Sequence, residues 1–171
     1  AEIGSVNLAK AIVAINDNQF PMELRGPAAS MRDVLAMKAG GMTKVAAANK
    51  WLLGGTIKSQ MAKSPSSAAL LHTTIAPTMM MGSPKENVLP QTATALINYR
   101  IAPWQTSKDV MARSKEAVGK LPVELSWIDP PREPSPVSSS TSQGWKLLRA
   151  AAESEAPGAA VAPFLVVGAT D

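Results

Sequence analysis

With 171 residues, a formal net charge of +4 and no cysteine, the chain can bury one sizeable core, and it excludes disulfides, thiolate catalysis and cysteine-based zinc sites. Hydrophobic residues make up 46% of the sequence, mean hydropathy is +0.02, and no apolar run approaches the length of a membrane span. No signal peptide is visible, and the chain opens inside a helical pattern and stops on a strand-to-turn motif, so it is expected to be an excised piece of a longer protein.

In chain order, residues 3–16 predict a helix. Ile3, Val6, Ala9 (or Lys10) and Val13 recur near helical spacing, and Leu8, Ile12 and Ile15 widen the stripe. Asn16-Asp17-Asn18 ends it and Pro21 forbids its continuation; Met22 to Arg25 reads as a short extended piece. Residues 27–64 read as a helical insertion with an unusual charge: between Pro21 and Leu70 seven Lys or Arg face only Glu23 and Asp33, a net +5. Ser30 with Asp33 gives a helix-start signal of capping-box type. Gly40-Gly41 and Gly54-Gly55 divide the region into about three short helices. Met31, Leu35, Met42, Val45, Trp51, Leu52, Leu53, Ile57 and Met61 supply its apolar faces. It is either a basic insertion packed onto the rest of the fold or a Met-rich basic surface for an acyl chain, an anionic lipid surface or a partner helix. Nucleic acid is disfavoured, because the basic residues are dispersed and lack a recognition motif or stacking aromatics.

The stretch Leu71 to Ile101 reads as two extended arms around a turn. Thr73 to Met81 is rich in Thr, Ile and Met, and Gly82, Ser83 and Pro84 punctuate it. From Thr92 to Ile101, Ala93, Ala95, Ile97 and Tyr99 share one face, with Thr92, Thr94, Leu96, Asn98 and Arg100 on the other. This predicts an antiparallel hairpin whose connection, Ser83 to Pro90, is far longer than a tight turn requires and carries Lys85, Glu86 and Asn87. His72, the only histidine, has no acidic pair beside it and reads as structural or solvent-facing.

Thr106-Ser107 then caps a helix to about Gly119, with Asp109 at its third position and Val110, Ala117 and Val118 inward. Trp104 ahead of it reads as hydrophobic cover for the sheet end, with binding as the alternative. Pro122 starts a short strand, VELSWI, in which Val123, Leu125 and Trp127 alternate with Glu124 and Ser126. Asp129 to Ser142 is rich in Pro and Ser and marks the best domain boundary. A helix over Gln143 to Glu155 follows, and Ala160 to Val167 reads as a continuous apolar strand before the turn at Gly168.

Several of these motifs resemble the zinc-dependent exopeptidase and aminoacylase family, in its carboxypeptidase S and N-acyl-amino-acid hydrolase branch. Glu86 to Pro90 (ENVLP) resembles the family's Asn-Val-Ile-Pro loop, and Arg100 lies thirteen residues after Asn87, as the family's strand-terminal Arg does. Ser5 to Ile12 (SVNLAKAI) is similar to the first helix of the family's lid, and Gly168 to Asp171 (GATD) to its Gly-x-Thr-Asp turn. The family usually has Gly where Trp104 stands. The resemblance implies an α+β fold: a ferredoxin-like lid or dimerisation domain over 1–128, lacking its first strand, with the insertion at about 27–64. The linker is then 129–142, and 143–171 a fragment of α/β catalytic domain.

A co-catalytic zinc site needs several His, Asp and Glu ligands that converge and a carboxylate base. One His and no His-x-Asp or Glu-Glu segment leave the chain without them, and no nucleophile elbow or phosphate loop is present. The resemblance therefore places zinc and the catalytic base in the parent protein, leaves this fragment without a cofactor, and predicts it to be inactive alone. It implies substrate-binding roles for Asn87, Arg100, Gly168 and Thr170, a homodimer, and a peptide or N-acyl amino acid as substrate. Guanidinium offers a carboxylate a planar bidentate fork, and an amide donates to a carbonyl without adding charge. Against these roles stand a strand-end surface ion pair for Arg100 and a loop-stabilising backbone bond for Asn87. A free-standing dimerisation or ligand-binding module is the alternative function, and a membrane-surface module, through the insertion, a second. An incomplete lid is expected to recruit Ala160 to Val167, or a partner's hairpin, to its open sheet edge.

Overall fold

The computed structural model describes residues 3–39, 55 and 58–166. The chain divides into two units, one of Ala1–Pro21 with Thr73–Pro134, the other of Met22–His72 with Ser135–Asp171.

The first unit is built on helix α1, Gly4–Asp17, which buries Asn7, Ala11, Ile12 and Ile15. The periodic stripe of Ile3, Val6 and Val13 lies on its other side, with Val6 46% and Val13 57% exposed. Helical periodicity fits both rows of apolar residues, so only packing separates the inner from the outer. Strands β1, Thr74–Met81, and β2, Thr94–Arg100, form the expected antiparallel hairpin. Thr74 is paired with Arg100, Ile75 with Tyr99 and Pro77 with Ile97; Thr78 is an extra residue, after which Met79 pairs with Leu96 and Met81 with Thr94. Pro77 has no N–H to give, and the irregularity beside it fits a strand with only one partner.

Helix α4, Ser107–Val118, packs beside α1 and completes the core. (Helices α2 and α3 belong to the second unit.) Thr106 accepts from the Asp109 N–H while Asp109 accepts from the Thr106 N–H, a reciprocal capping box. Gly119 ends the helix at φ 54°, a conformation that favours glycine. Ala11, Ile15 and Val118 form the central cluster, with Ile75, Ile97, Tyr99, Leu121, Val123 and Leu125 packed against it. Val110 and Ile15 are 1% and 2% exposed, and burying side chains of that size contributes about 1.5–3 kcal/mol each. At the base of the hairpin the fully buried Thr73 accepts from the Ala102 N–H at 2.9 Å and donates to Gln105.

The strand expected at VELSWI is not formed. Val123 and Leu125 do face the core, but no described segment pairs with them, and a strand is defined by the neighbour that takes its hydrogen bonds.

In the second unit α2 spans Gly26–Ala39, α3 is the short turn Pro65–Ala68, and α5 spans Gln143–Glu155. Ser30 and Asp33 therefore sit inside α2 rather than at its start, and Asp33 pairs with its neighbour Arg32. Ala28, Ala36, Leu70 and Leu71 are buried, and the Glu23 N–H donates to the Leu71 carbonyl at 2.7 Å. Helix α5 starts where expected, with Ser142 accepting from the Trp145 N–H at 3.2 Å. Residues 160–166 form no strand, so the expected recruitment of this run to the sheet does not occur among the described residues. The break at Gly40-Gly41, the apolar run from Met42 to Leu53, and Ile57, Gly168 and Thr170 lie outside the described residues.

Candidate functional site

The loop from Gly82 to Ala93 carries the first candidate. Ser83 ties it, accepting from the Lys85 N–H at 3.3 Å and donating to the Lys85 carbonyl at 2.8 Å. The Val88 N–H then reaches the Lys85 carbonyl at 3.4 Å, which puts Glu86 and Asn87 in the middle of a turn. Asn87 is exposed, and its amide makes no hydrogen bond among the described residues. Ser83 thus does the holding that a loop-stabilising Asn would have done. Pro90 brings the loop back to α1, where its carbonyl would meet a Cβ built on Gly4 at 3.8 Å.

Arg100 ends β2 at the base of the hairpin. It is exposed, and among the described residues it makes neither an ion pair nor a hydrogen bond, so the surface ion pair weighed against a binding role is not formed. Its cross-strand partner is Thr74, and with the two-residue period of a strand it shares its face with Asn98, Leu96 and Thr94. Asn87 and Arg100 are not brought together. The length of β2 separates them, and six residues of extended strand from Thr94 to Arg100 amount to about 20 Å.

Two further features were not legible as sites from sequence patterns. A shallow apolar groove runs along the outer side of α1, lined by Ser5, Val6, Ala9, Lys10, Val13 and Ala14. The signal for it was present, since α1 carries more apolar residues than one buried face can use. The second is Glu133, which accepts from the Ser107 N–H at 3.0 Å and from the Ser107 hydroxyl, fastening the start of the Pro/Ser-rich run to α4. The bond from the Ser107 hydroxyl, then that from its N–H, holds the Glu133 carboxyl below its ordinary range. Asp109 is lowered likewise by the Thr106 hydroxyl and then by the Thr106 N–H. Burial raises the Tyr99 phenol, partly offset by its hydrogen bond to Ser114.

Among the described residues no group of three or more His, Asp or Glu side chains is placed to hold a metal ion. His72 is buried two residues ahead of β1. Among the described residues no helix is long and apolar enough to cross a membrane.

The profile of the peptidase dimerisation domain matches residues 6–125, from α1 through the hairpin and α4 to Leu125. The chain belongs to the peptidase dimerisation domain family. Similar curated proteins agree. "N-fatty-acyl-amino acid synthase/hydrolase PM20D1" of Xenopus tropicalis is 34% identical over 166 residues, which is 96% of this chain and 32% of that protein. The Homo sapiens protein of the same name is 30% identical over 168 residues, 96% of this chain and 33% of that one. "Probable carboxypeptidase S-like 2" of Dictyostelium discoideum is 34% identical over 123 residues, 72% of this chain and 24% of that protein. This dimerisation domain with its flanking residues spans about a third or less of the length of these relatives. No solved structure matches the chain.

Proposed function

We propose that this chain is the dimerisation and substrate-recognition part of a zinc-dependent hydrolase that cleaves N-acyl amino acids or C-terminal peptide bonds. The observation that carries the reading is Arg100, an exposed guanidinium with no ion pair among the described residues, at the end of a strand inside a peptidase dimerisation domain. A cation presented this way is available to a substrate carboxylate, and its planar fork suits one. Asn87, at the middle of an exposed turn, offers a neutral donor for a substrate carbonyl. Because the two are a strand's length apart, they serve separate parts of one extended substrate or the sites of two different subunits. Zinc and the catalytic base belong to other segments of the longer protein, and the chain alone is inactive. Gly168 and Thr170 remain proposed substrate-binding positions by resemblance.

Two further parts of the proposal concern architecture. The run Val123 to Trp127, whose Val123 and Leu125 pack on the core without a ladder, fits the outer strand of a ferredoxin-like sheet whose inner neighbour is not among the described residues. Self-association is proposed through the outer face of α1, where Val6 and Val13 flank Lys10 in an apolar groove. An isologous helix pair would remove both valines from water.

The test uses the longer protein. Asn87→Ala and Arg100→Lys should each lower kcat/KM by about tenfold to a hundredfold, the loss of one charge-assisted or buried contact, with metal content and folding unchanged. Unchanged kinetics in either variant would return that residue to a surface role.

A further inference from the structure

Arg100 stands at one end of an open sheet face whose other end is apolar. Cross-strand partners lie on the same side of a ribbon, so the register collects Thr74, Ala76, Met79 and Met81 of β1 with Thr94, Leu96, Asn98 and Arg100 of β2. The core-facing side takes Ile75, Ile97 and Tyr99 instead. Read from the base outward, the open face presents a cation with a hydroxyl (Arg100, Thr74), then an amide (Asn98). Ala76 lies level with Asn98, and beyond them come Leu96 with Met79, then Met81 with Thr94 at the tip. Met79 and Met81 are 52% and 50% exposed. No acidic residue is on this face, so nothing on it neutralises Arg100.

We infer that this face determines acyl-chain specificity: Arg100 takes the carboxylate of an N-acyl amino acid while Leu96, Met79 and Met81 carry a long acyl tail along the hairpin. The inference rests on the substrate-recognition reading above and adds the residues that would select long chains. Charge complementarity decides the occupant. A second copy of this face would set an unpaired guanidinium against apolar or neutral side chains, because the face holds no carboxylate to meet it, and an uncompensated buried charge is costly. An amphiphilic carboxylate supplies the anion at the base and the hydrocarbon at the tip, in the order in which the face presents their complements. The apolar end begins about 13 Å from Arg100, four residues along β2, which is beyond the reach of an acetyl group but within that of a long chain. Methionine suits such a tail, since its unbranched, polarisable side chain adapts to irregular apolar shapes.

The experiment is an NMR titration of this chain, labelled at the methionine methyls, with N-oleoylglycine kept below its aggregation limit and with N-acetylglycine. Met80 points to the opposite side of the ribbon from Met79 and Met81 and is the internal control. Oleoylglycine should shift the Met79 and Met81 methyls, leave Met80 still, and bind at least about tenfold more tightly than acetylglycine, since only a few buried methylenes are worth that ratio. The double variant Met79→Ser, Met81→Ser should bring oleoylglycine down to the level of acetylglycine, with the circular dichroism of the parent chain retained. Equal affinities for the two ligands, or Met80 shifting as far as its neighbours, would overturn the inference. Methyl shifts that follow protein concentration rather than ligand would show a second copy on this face and overturn it too. Arg100→Gln separates the two levels: it should weaken both ligands by at least about tenfold, and affinities equal to those of the parent chain would refute carboxylate recognition while a retained preference for oleoylglycine leaves the tail contact standing.

Discussion

Nε of Arg113 donates to the Asn18 carbonyl at 3.0 Å while its Nη2 donates to Asn18 Oδ1 at 2.8 Å, so the middle of α4 closes the C-terminal end of α1. The guanidinium also sits 5.1 Å from the centre of the Phe20 ring. Helix ends leave carbonyls without partners, and a planar fork satisfies two acceptors at once where an ammonium would not. Arg113→Lys should lower stability by about 1.5–3 kcal/mol, read as a shifted urea midpoint with an unchanged slope. A midpoint equal to that of the parent chain would show that water replaces the fork without loss.

The two rows of apolar residues on α1 should respond differently to truncation. Ile15→Ala empties a site that is 2% exposed and should cost about 2–5 kcal/mol. Val13→Ala removes a side chain that is 57% exposed and should stay within about 0.5 kcal/mol in the monomer. Equal costs would refute the assignment of the faces.

Self-association is checked by light scattering across a concentration series. The parent chain should approach the mass of a dimer, and Val6→Lys with Val13→Lys should return it to a monomer, since four added like charges would join the two Lys10 side chains across an isologous contact. A dimer that survives both substitutions would move the interface away from α1.

Acid should loosen the links around α4. Asp109 and Glu133 titrate below their ordinary values because hydrogen bonds from Thr106 and Ser107 favour their charged forms. A carboxyl lowered in the folded state contributes stability that is fully present above its unfolded value, about 4, and is lost as the pH falls through the folded value. The melting temperature should therefore decline below about pH 4, and Asp109→Asn with Glu133→Gln should flatten that decline. An acid limb unchanged in the double variant would assign it to other carboxylates.

Local signals read well where neighbours in sequence are also partners in space. Thr106 and Asp109 form the α4 cap, Gly119 stops that helix, and Ser142 starts α5, each within a few residues of its partner. The hairpin was legible for the same reason, since alternation along β2 separates Ile97 and Tyr99 from Asn98 and Arg100 whatever lies above them. The motif ENVLP and the Arg thirteen residues after its Asn were equally plain.

What tertiary structure decided was every choice between two locally equivalent answers. Helical periodicity in α1 supports a row through Val6 and Val13 as well as one through Ala11 and Ile15, and only the sheet beneath picks the second. Alternation in VELSWI directs Val123 and Leu125 to the core, yet a ladder needs a neighbouring backbone that no residue of the segment can supply. Apolar content in Ala160 to Val167 is compatible with a strand for as long as a sheet is there to receive it, and residues 160–166 find none. The spacing of Asn87 and Arg100 was a sequence fact, whereas their separation along the hairpin, and the company Arg100 keeps with Leu96, Met79 and Met81, follow from a register displaced by one residue at Thr78. Side-chain period along a strand is two, so that single extra residue decides which methionines share a face with the arginine.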